Sequence, residues 1–171
     1  MQRVARRGVQ WLTLAAEDPE DCRLAWHNDP RSPYLLPVGR DFDLVATDQK
    51  VGMEAFDQMR RRGMPLGPVM VDWAARKMGF FLPPRSRDQF AGTLMRETQS
   101  PPEHRYLTTG SFVVVPGPLT LSHDRYEWLN PPAHELNSSP HQSMALAVML
   151  AASATFIECA ERYGEVAADV R

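Results

Sequence analysis

The chain has 171 residues, 43% hydrophobic and 23% charged, with a formal net charge of −2. That composition excludes a disordered, fibrous or disulfide-stapled protein, and the length suits a single domain, residues 1–171, with a core of its own. No uninterrupted apolar run approaches the roughly 20 residues that cross a bilayer. The N-terminal "VQWLTLAA" meets Glu17 and Asp18 with no small-residue cleavage site ahead of them, so a cytoplasmic protein without membrane association is expected.

Residues 3–16 place Val4, Val9, Trp11, Leu12 and Ala15 at helical spacing. A second helix opens at Pro19, with Glu20 and Asp21 in its first turn, and runs to about His27 before "NDPRSP" breaks the chain. "FDLVATD" is a strand candidate. "GMEAFDQMRRR" is a helix with Met53, Phe56 and Met59 on one face, stopped by Gly63. "PVMVD" and "MGFFLP" read as short strands around a turn. "SRDQFAGTLMRET" reads as a helix opened by a Ser86/Gln89 capping box, with Phe90, Leu94 and Met95 facing the core. "YLTT", "SFVVVPG" and "RYEWLN" are strands of a terminal meander. In "SSPHQ", Ser139 is the N-cap and Pro140 the first helical residue of the longest helix, which runs to about Tyr163. The pattern predicts an α+β fold, with helices on one face of a mixed or mainly antiparallel sheet.

Cys22 and Cys159 lie far apart in helical patterns and read as buried free thiols. His104, His123, His134 and His141 share no ligand spacing and read as solvated; no metal site is expected. Ser122, His123 and Asp124 are loop neighbours, whereas the members of a catalytic triad meet in space. The glycines of "RRGMPLGP" and "TTGSF" match no phosphate-cradling loop. Residues 60–105 carry nine basic side chains against four acidic. Arg60, Arg61, Arg62, Arg76, Lys77, Arg85 and Arg87 are therefore candidate phosphate contacts, with a solvated face as the alternative. Phe112, Tyr126 and Trp128 are candidates for stacking a base or for the core.

The order of "LPVGRDFDLVATDQKVGMEAF", "KMGFFLPP" and "GSFVVVPGPLTLSHDRYEWLNPP" resembles the bifunctional DNA primase/polymerase N-terminal domain of the archaeo-eukaryotic primase superfamily. The likeness spans about residues 35–132. Helices 3–27 and about 140–163 flank it, and more narrowly the chain resembles the short stand-alone versions found in GC-rich bacteria. The resemblance implies a strand bearing Asp-x-Asp, a His beside the nucleotide on a second strand, and a third acid ahead of "GSFVVVP". In that chemistry carboxylates hold two divalent ions that clamp the attacking and leaving oxygens. Anchored on the helix "GMEAF" and allowing one deleted residue, the second Asp falls on Asp48 and the first on Ala46. The His falls among Met78, Gly79 and Phe80, and the third acid near residues 105–109, "RYLTT". Asp43 lies five residues from Asp48, on the opposite face of a regular strand. Asp41 and Asp43 share a face, but at the strand's entrance.

The resemblance therefore implies a degenerate site in which no residue is assigned a catalytic role and Asp43 and Asp48 are the remnant candidates. No cofactor is expected; Mg or Mn would enter only with residual activity. The expected function is a binding or regulatory protein associated with nucleic acid or a nucleotide. A protein-interaction scaffold with a protein partner is the alternative, and a residual metal-dependent nucleotidyltransferase a third reading.

Overall fold

A computed structural model of the chain describes residues 1–136 and 139–169. The elements are β1 (Gln2–Arg3), α1 (Arg6–Ala15), α2 (Pro19–Asn28), β2 (Tyr34–Pro37), β3 (Asp43–Asp48), α3 (Gln49–Arg61) and β4 (Val69–Asp72). After them come β5 (Lys77–Leu82), α4 (Arg87–Glu97), β6 (His104–Leu107), β7 (Phe112–Val115), β8 (Leu119–Thr120), β9 (Tyr126–Asn130) and α5 (Pro140–Asp169). The fold is α+β, as the periodicity predicts. Its main sheet has five strands in the order β6-β3-β5-β4-β9, with every neighbouring pair antiparallel, so the sheet is not mixed. The expected terminal meander is also corrected. β6 joins β3, β9 joins β4 at the other edge, and β7 leaves the sheet to pair with β2. Turn residues mark where a strand stops, but not which strand it pairs with.

Strands β3 and β5 are apolar on both faces, which calls for cover on both sides. Val45, Val69, Val71, Met78, Phe80 and Leu82 pack under α3, α4 and α5. Leu44, Met70, Phe81 and Trp128 point the other way, against Trp11 and Leu12 of α1, Trp26 of α2, and Leu36, Val113 and Val115 of the β2–β7 ribbon. Helices thus cover both faces, not one. Phe81 sits at the centre of the second core, with ring centroids 4.7 Å from Phe42, 5.5 Å from Trp128 and 6.4 Å from Trp11. Such tilted and edge contacts add about 0.5–1.5 kcal/mol each beyond area burial.

Local signals account for most helix ends. The Asp18 carboxylate accepts from Glu20 N at 3.1 Å and Asp21 N at 3.0 Å, capping α2 ahead of Pro19. Gly63, at φ +60°, ends α3: its N–H donates to Arg60 O and that of Met64 to Met59 O, a Schellman closure. The Ser86/Gln89 capping box does not form. Ser86 Oγ donates to Pro83 O at 2.6 Å, and Gln89 Oε1 accepts from Ser143 Oγ at 3.3 Å. Met95 is 78% exposed, because α4 buries only the Phe90, Thr93 and Leu94 side. Cys22 is buried, and that burial pushes its thiol up to about 11, whereas Cys159 is exposed rather than buried.

α5 begins at Pro140, as its sequence predicts. Residues Pro140–Tyr163 are, by length and composition, long and apolar enough to cross a membrane, which corrects the expectation that no segment is. Its first half supplies Leu146, Ala147 and Leu150 to the core, which gives a packing reason for that composition, while Phe156 and Tyr163 beyond it are exposed. Phe81→Ala should cost about 3–5 kcal/mol in denaturant unfolding, through lost transfer energy and an unfilled cavity. Met95→Ala should change stability by no more than about 0.5 kcal/mol.

Candidate functional site

Directly opposed residues on neighbouring strands share a face, so the register of β3 decides which side chains meet. Ala46 lies opposite Gly79 of β5 and Arg105 of β6. Asp48 opposes Lys77, Lys77 opposes Asp72 of β4, and Asp72 opposes Tyr126 of β9. Between this face and β7 is an open cleft of about 240 Å³, whose lining includes Ala46, Asp72, Lys77, Gly79, Phe112 and Tyr126. Ala46, where the resemblance places the first Asp, is thus flanked on one face by Gly79, one of the three positions among which the His falls, and by Arg105, at the start of the stretch near which the third acid falls. A Cβ placed on Gly79 would sit 3.3 Å from both Leu44 Cδ1 and Met70 Cγ, so those two side chains take up the room a larger residue needs.

Asp43 is fully buried on the opposite face. Its carboxylate accepts from Tyr106 Oη at 2.6 Å, Thr108 Oγ1 at 3.2 Å and Ser86 N at 3.2 Å. These bonds tie β3 to β6, to the following loop and to the start of α4, and they place a negative charge at a helix N-terminus. Burial, and then the bond to Asp43, hold the Tyr106 hydroxyl well above its usual pKa. Asp48 closes the strand and caps α3, accepting from Lys50 N at 2.9 Å. The sequence offered a signal for this division: Asp43, Val45 and Thr47 alternate with Leu44, Ala46 and Asp48. It did not show that Tyr106, Thr108 and Ser86 would converge on Asp43.

The model of the bifunctional DNA primase/polymerase N-terminal family matches residues 3–142, most of the chain. The chain belongs to that family. No curated protein and no solved structure matches it significantly.

For a primase/polymerase domain the cleft must be tested against a pair of divalent ions. The carboxylates on its face are Asp48 and Asp72, two strands apart, or about 9–10 Å at the usual strand spacing, with Lys77 between them. Asp72 is already taken by Arg125 in a two-pronged ion pair at 3.0 and 3.1 Å. Burial opposes the Asp72 charge, but Arg125 and the backbone N–H of Ala75 outweigh it and hold the carboxyl below its usual value. Among the described residues no three His, Cys, Asp or Glu side chains are placed to hold a metal ion. The residues present do not fit the family's ions.

The basic candidates are dispersed over this primase/polymerase domain. Arg60, Arg61 and Arg62 close α3, where Arg60 lies 5.5 Å over the Phe56 ring, Arg61 pairs with Asp57 at 2.9 Å, and Arg62 reaches Gln58 at 3.4 Å. Arg76 and Lys77 sit at the other end of that helix, since Arg76 O accepts from Gln49 N, and Gln49 to Arg60 spans about 16 Å at 1.5 Å per residue. Arg85 and Arg87 flank Ser86 at the start of α4, with α5 packed between α4 and α3. Only Lys77 of the set lines the cleft. Arg105, outside the set, shares the cleft's sheet face.

The aromatic candidates divide as well. Phe112 is 48% exposed and lines the cleft with the half-buried Tyr126, while Trp128 is core, its Nε1 donating to Gly117 O at 3.2 Å. The histidines stand apart. His104 is bonded to Pro102 O, His123 is in a positive-φ turn, His134 is at Glu135 O, and His141 is exposed in the first turn of α5.

Asp43→Ala should cost about 3 kcal/mol, since it strands one buried and two half-buried donors. Asp48→Ala should cost only about 1 kcal/mol, a lost cap. The raised Tyr106 pKa stabilises the fold fully below about pH 10, the unfolded value, and that contribution is lost as pH rises above it. Chemical unfolding at stepped alkaline pH should therefore show a shallower loss of stability for Tyr106→Phe than for the parent chain.

Proposed function

We propose that this primase/polymerase domain does not catalyse nucleotidyl transfer, and that it serves as a binding or regulatory module which engages a nucleotide or nucleic-acid strand in the cleft beside β3. The observation that carries the reading is the register: Ala46 stands where the first Asp is expected, and its cross-strand neighbours, Gly79 and Arg105, fall within the stretches 78–80 and 105–109 where a His and a third acid are expected, so neither an imidazole nor a second carboxylate lies opposite it. The binding half of the reading rests on Arg105, which presents a positive charge without an ion-pair partner among the described residues on the cleft's face, and on Phe112, an exposed ring opposite the sheet. Phosphate and base thus have partners of suitable chemistry without a bridging ion.

The second reading, a protein-interaction scaffold, is favoured by a separate surface. A groove of about 800 Å³ runs between α3 and the outer part of α5, lined by Met53, Phe56, Phe156 and Ile157, and Phe156 is 60% exposed.

Purified protein supplied with Mg²⁺ or Mn²⁺ and nucleotides should neither start nor extend a primer. Template-dependent incorporation that Asp48→Ala abolishes would refute the proposal. Titrated with a labelled single-stranded oligonucleotide or nucleoside triphosphate in the presence of a chelator, the protein should bind, and Phe112→Ala should weaken binding about fivefold or more, the size of one lost stacking contact. Affinity for the oligonucleotide should fall linearly on a logarithmic salt scale. Arg105→Ala should flatten that slope. Replacing Arg60, Arg61 and Arg62 should leave the slope unchanged and lower the melting temperature, because these side chains serve the end of α3. Absence of binding at low salt would transfer the argument to the scaffold.

A further inference from the structure

The largest cleft described in the molecule is not the one beside β3. It is an open hollow of about 1130 Å³ between α1, α2 and the β1–β8 ribbon. That volume accommodates a drug-sized ligand. The cleft has a distinct chemistry: its charged or ionisable lining side chains are Arg3, Arg6, Arg23 and His27, with no carboxylate among them. Arg23 is engaged by Glu20 at 2.6 Å, but Arg3 and Arg6 have no ion-pair partner among the described residues. Other arginines of the chain are paired, as in Arg31 with Asp124, Arg61 with Asp57 and Arg125 with Asp72, and others, such as Arg105, are not paired among the described residues. The rest of the wall is mainly apolar, including Val9, Trp26 and Leu119, with Gln10 and Thr13 as its uncharged polar side chains.

Arg3 is held in place by the fold. The Gln2–Arg3 strand pairs with Leu119–Thr120, Arg3 lying opposite Leu119, and Val4 N donates to Pro118 O at 2.8 Å, with the Val4 side chain buried. Arg6 follows one turn away, in the first turn of α1, which carries no acidic side chain. A mainly apolar hollow whose rim carries exposed guanidinium groups without an ion-pair partner among the described residues matches a ligand with one anionic head and an apolar body: the body gains burial and the head gains charge-assisted hydrogen bonds.

We propose that this cleft is a binding site for a small amphiphilic anion, a carboxylate or phosphate monoester on an apolar chain, held by Arg3 and Arg6. It is independent of the cleft beside β3, so the two readings stand or fall separately.

The test uses the whole chain and the fluorescent probe anilinonaphthalene sulfonate, with dodecanoate, dodecyl phosphate and dodecanol as competitors. One probe molecule should bind per chain. Both anionic competitors should displace it, and dodecanol should need at least about tenfold more; the order of the two anions identifies the preferred head. Arg3→Ala with Arg6→Ala should weaken probe binding about tenfold while the far-ultraviolet circular dichroism stays unchanged. Val9→Phe, which narrows the cleft and leaves its charges, should weaken it as well. Probe affinity that neither variant alters would overturn the proposal, as would equal competition by dodecanol. Displacement by a single-stranded oligonucleotide at concentrations below those of both amphiphiles would also overturn it, assigning the cations to nucleic acid instead.

Discussion

Six successive cross-strand pairs, from Asp43 opposite Leu82 to Asp48 opposite Lys77, join β3 to β5, and most of the molecule follows from that register. It sends Val45, Met78, Phe80 and Leu82 into the core under α3, α4 and α5, and Leu44 and Phe81 into the core beneath α1 and α2. A slip of one residue would turn Asp43 out of its pocket and drive Ala46 and Asp48 into the helix-side core. Asp43 opposes such a slip. Three donors from β6, the loop after it and the start of α4 converge on its carboxylate, and a buried charge with those partners has no equivalent position one residue away.

Much of this fold was legible in the sequence because it is written in local terms. Pro19 after Asp18, Gly63 after a run of helix formers, and Pro140 after a serine all announced helix ends that the structure places within one or two residues. The family resemblance was carried by residues close together in sequence. What escaped was non-local. Strands β7 and β9 look alike as strings, yet one lies opposite β2 outside the main sheet and the other edges β4. The Ser86/Gln89 pattern reads as a capping box, but the amide of Ser86 turns to a carboxylate 43 residues earlier in the chain. Met95 has a helical spacing that fits a core face, and the helix rolls to bury Phe90, Thr93 and Leu94 instead.

The basic segment shows the same limit in electrostatic form. Nine cations in residues 60–105 look like one patch only while the chain is a line. Once α3 runs back along β3 and α5 packs between α3 and α4, the same residues lie at three separate places. Several are already engaged by their own helix. Conversely, Arg3 and Arg6 lie outside that basic segment, and they become notable when β8, more than a hundred residues later, closes a hollow beside them.

The division of labour across β3 explains how the fold accommodates an alanine at position 46. Asp43, Val45 and Thr47 are buried and hold the structure, whereas Ala46 and Asp48 face the cleft and are half-buried. An alanine at 46 removes no hydrogen bond from the core, and it removes the repulsion that two carboxylates on one face impose when no cation separates them. Along the next row, Asp48, Lys77, Asp72 and Arg125 alternate in sign, so that end of the sheet is compensated internally. Arg105 is the exception on this face: it is exposed, opposite Ala46, and without an ion-pair partner among the described residues. Carboxylates there would require a metal before a phosphate could approach, whereas a guanidinium attracts the phosphate directly. On the proposed reading, binding and chemistry have been separated by the sign of the charge at two neighbouring strand positions, beyond the part of that face where Leu44 and Phe81 enter the second core.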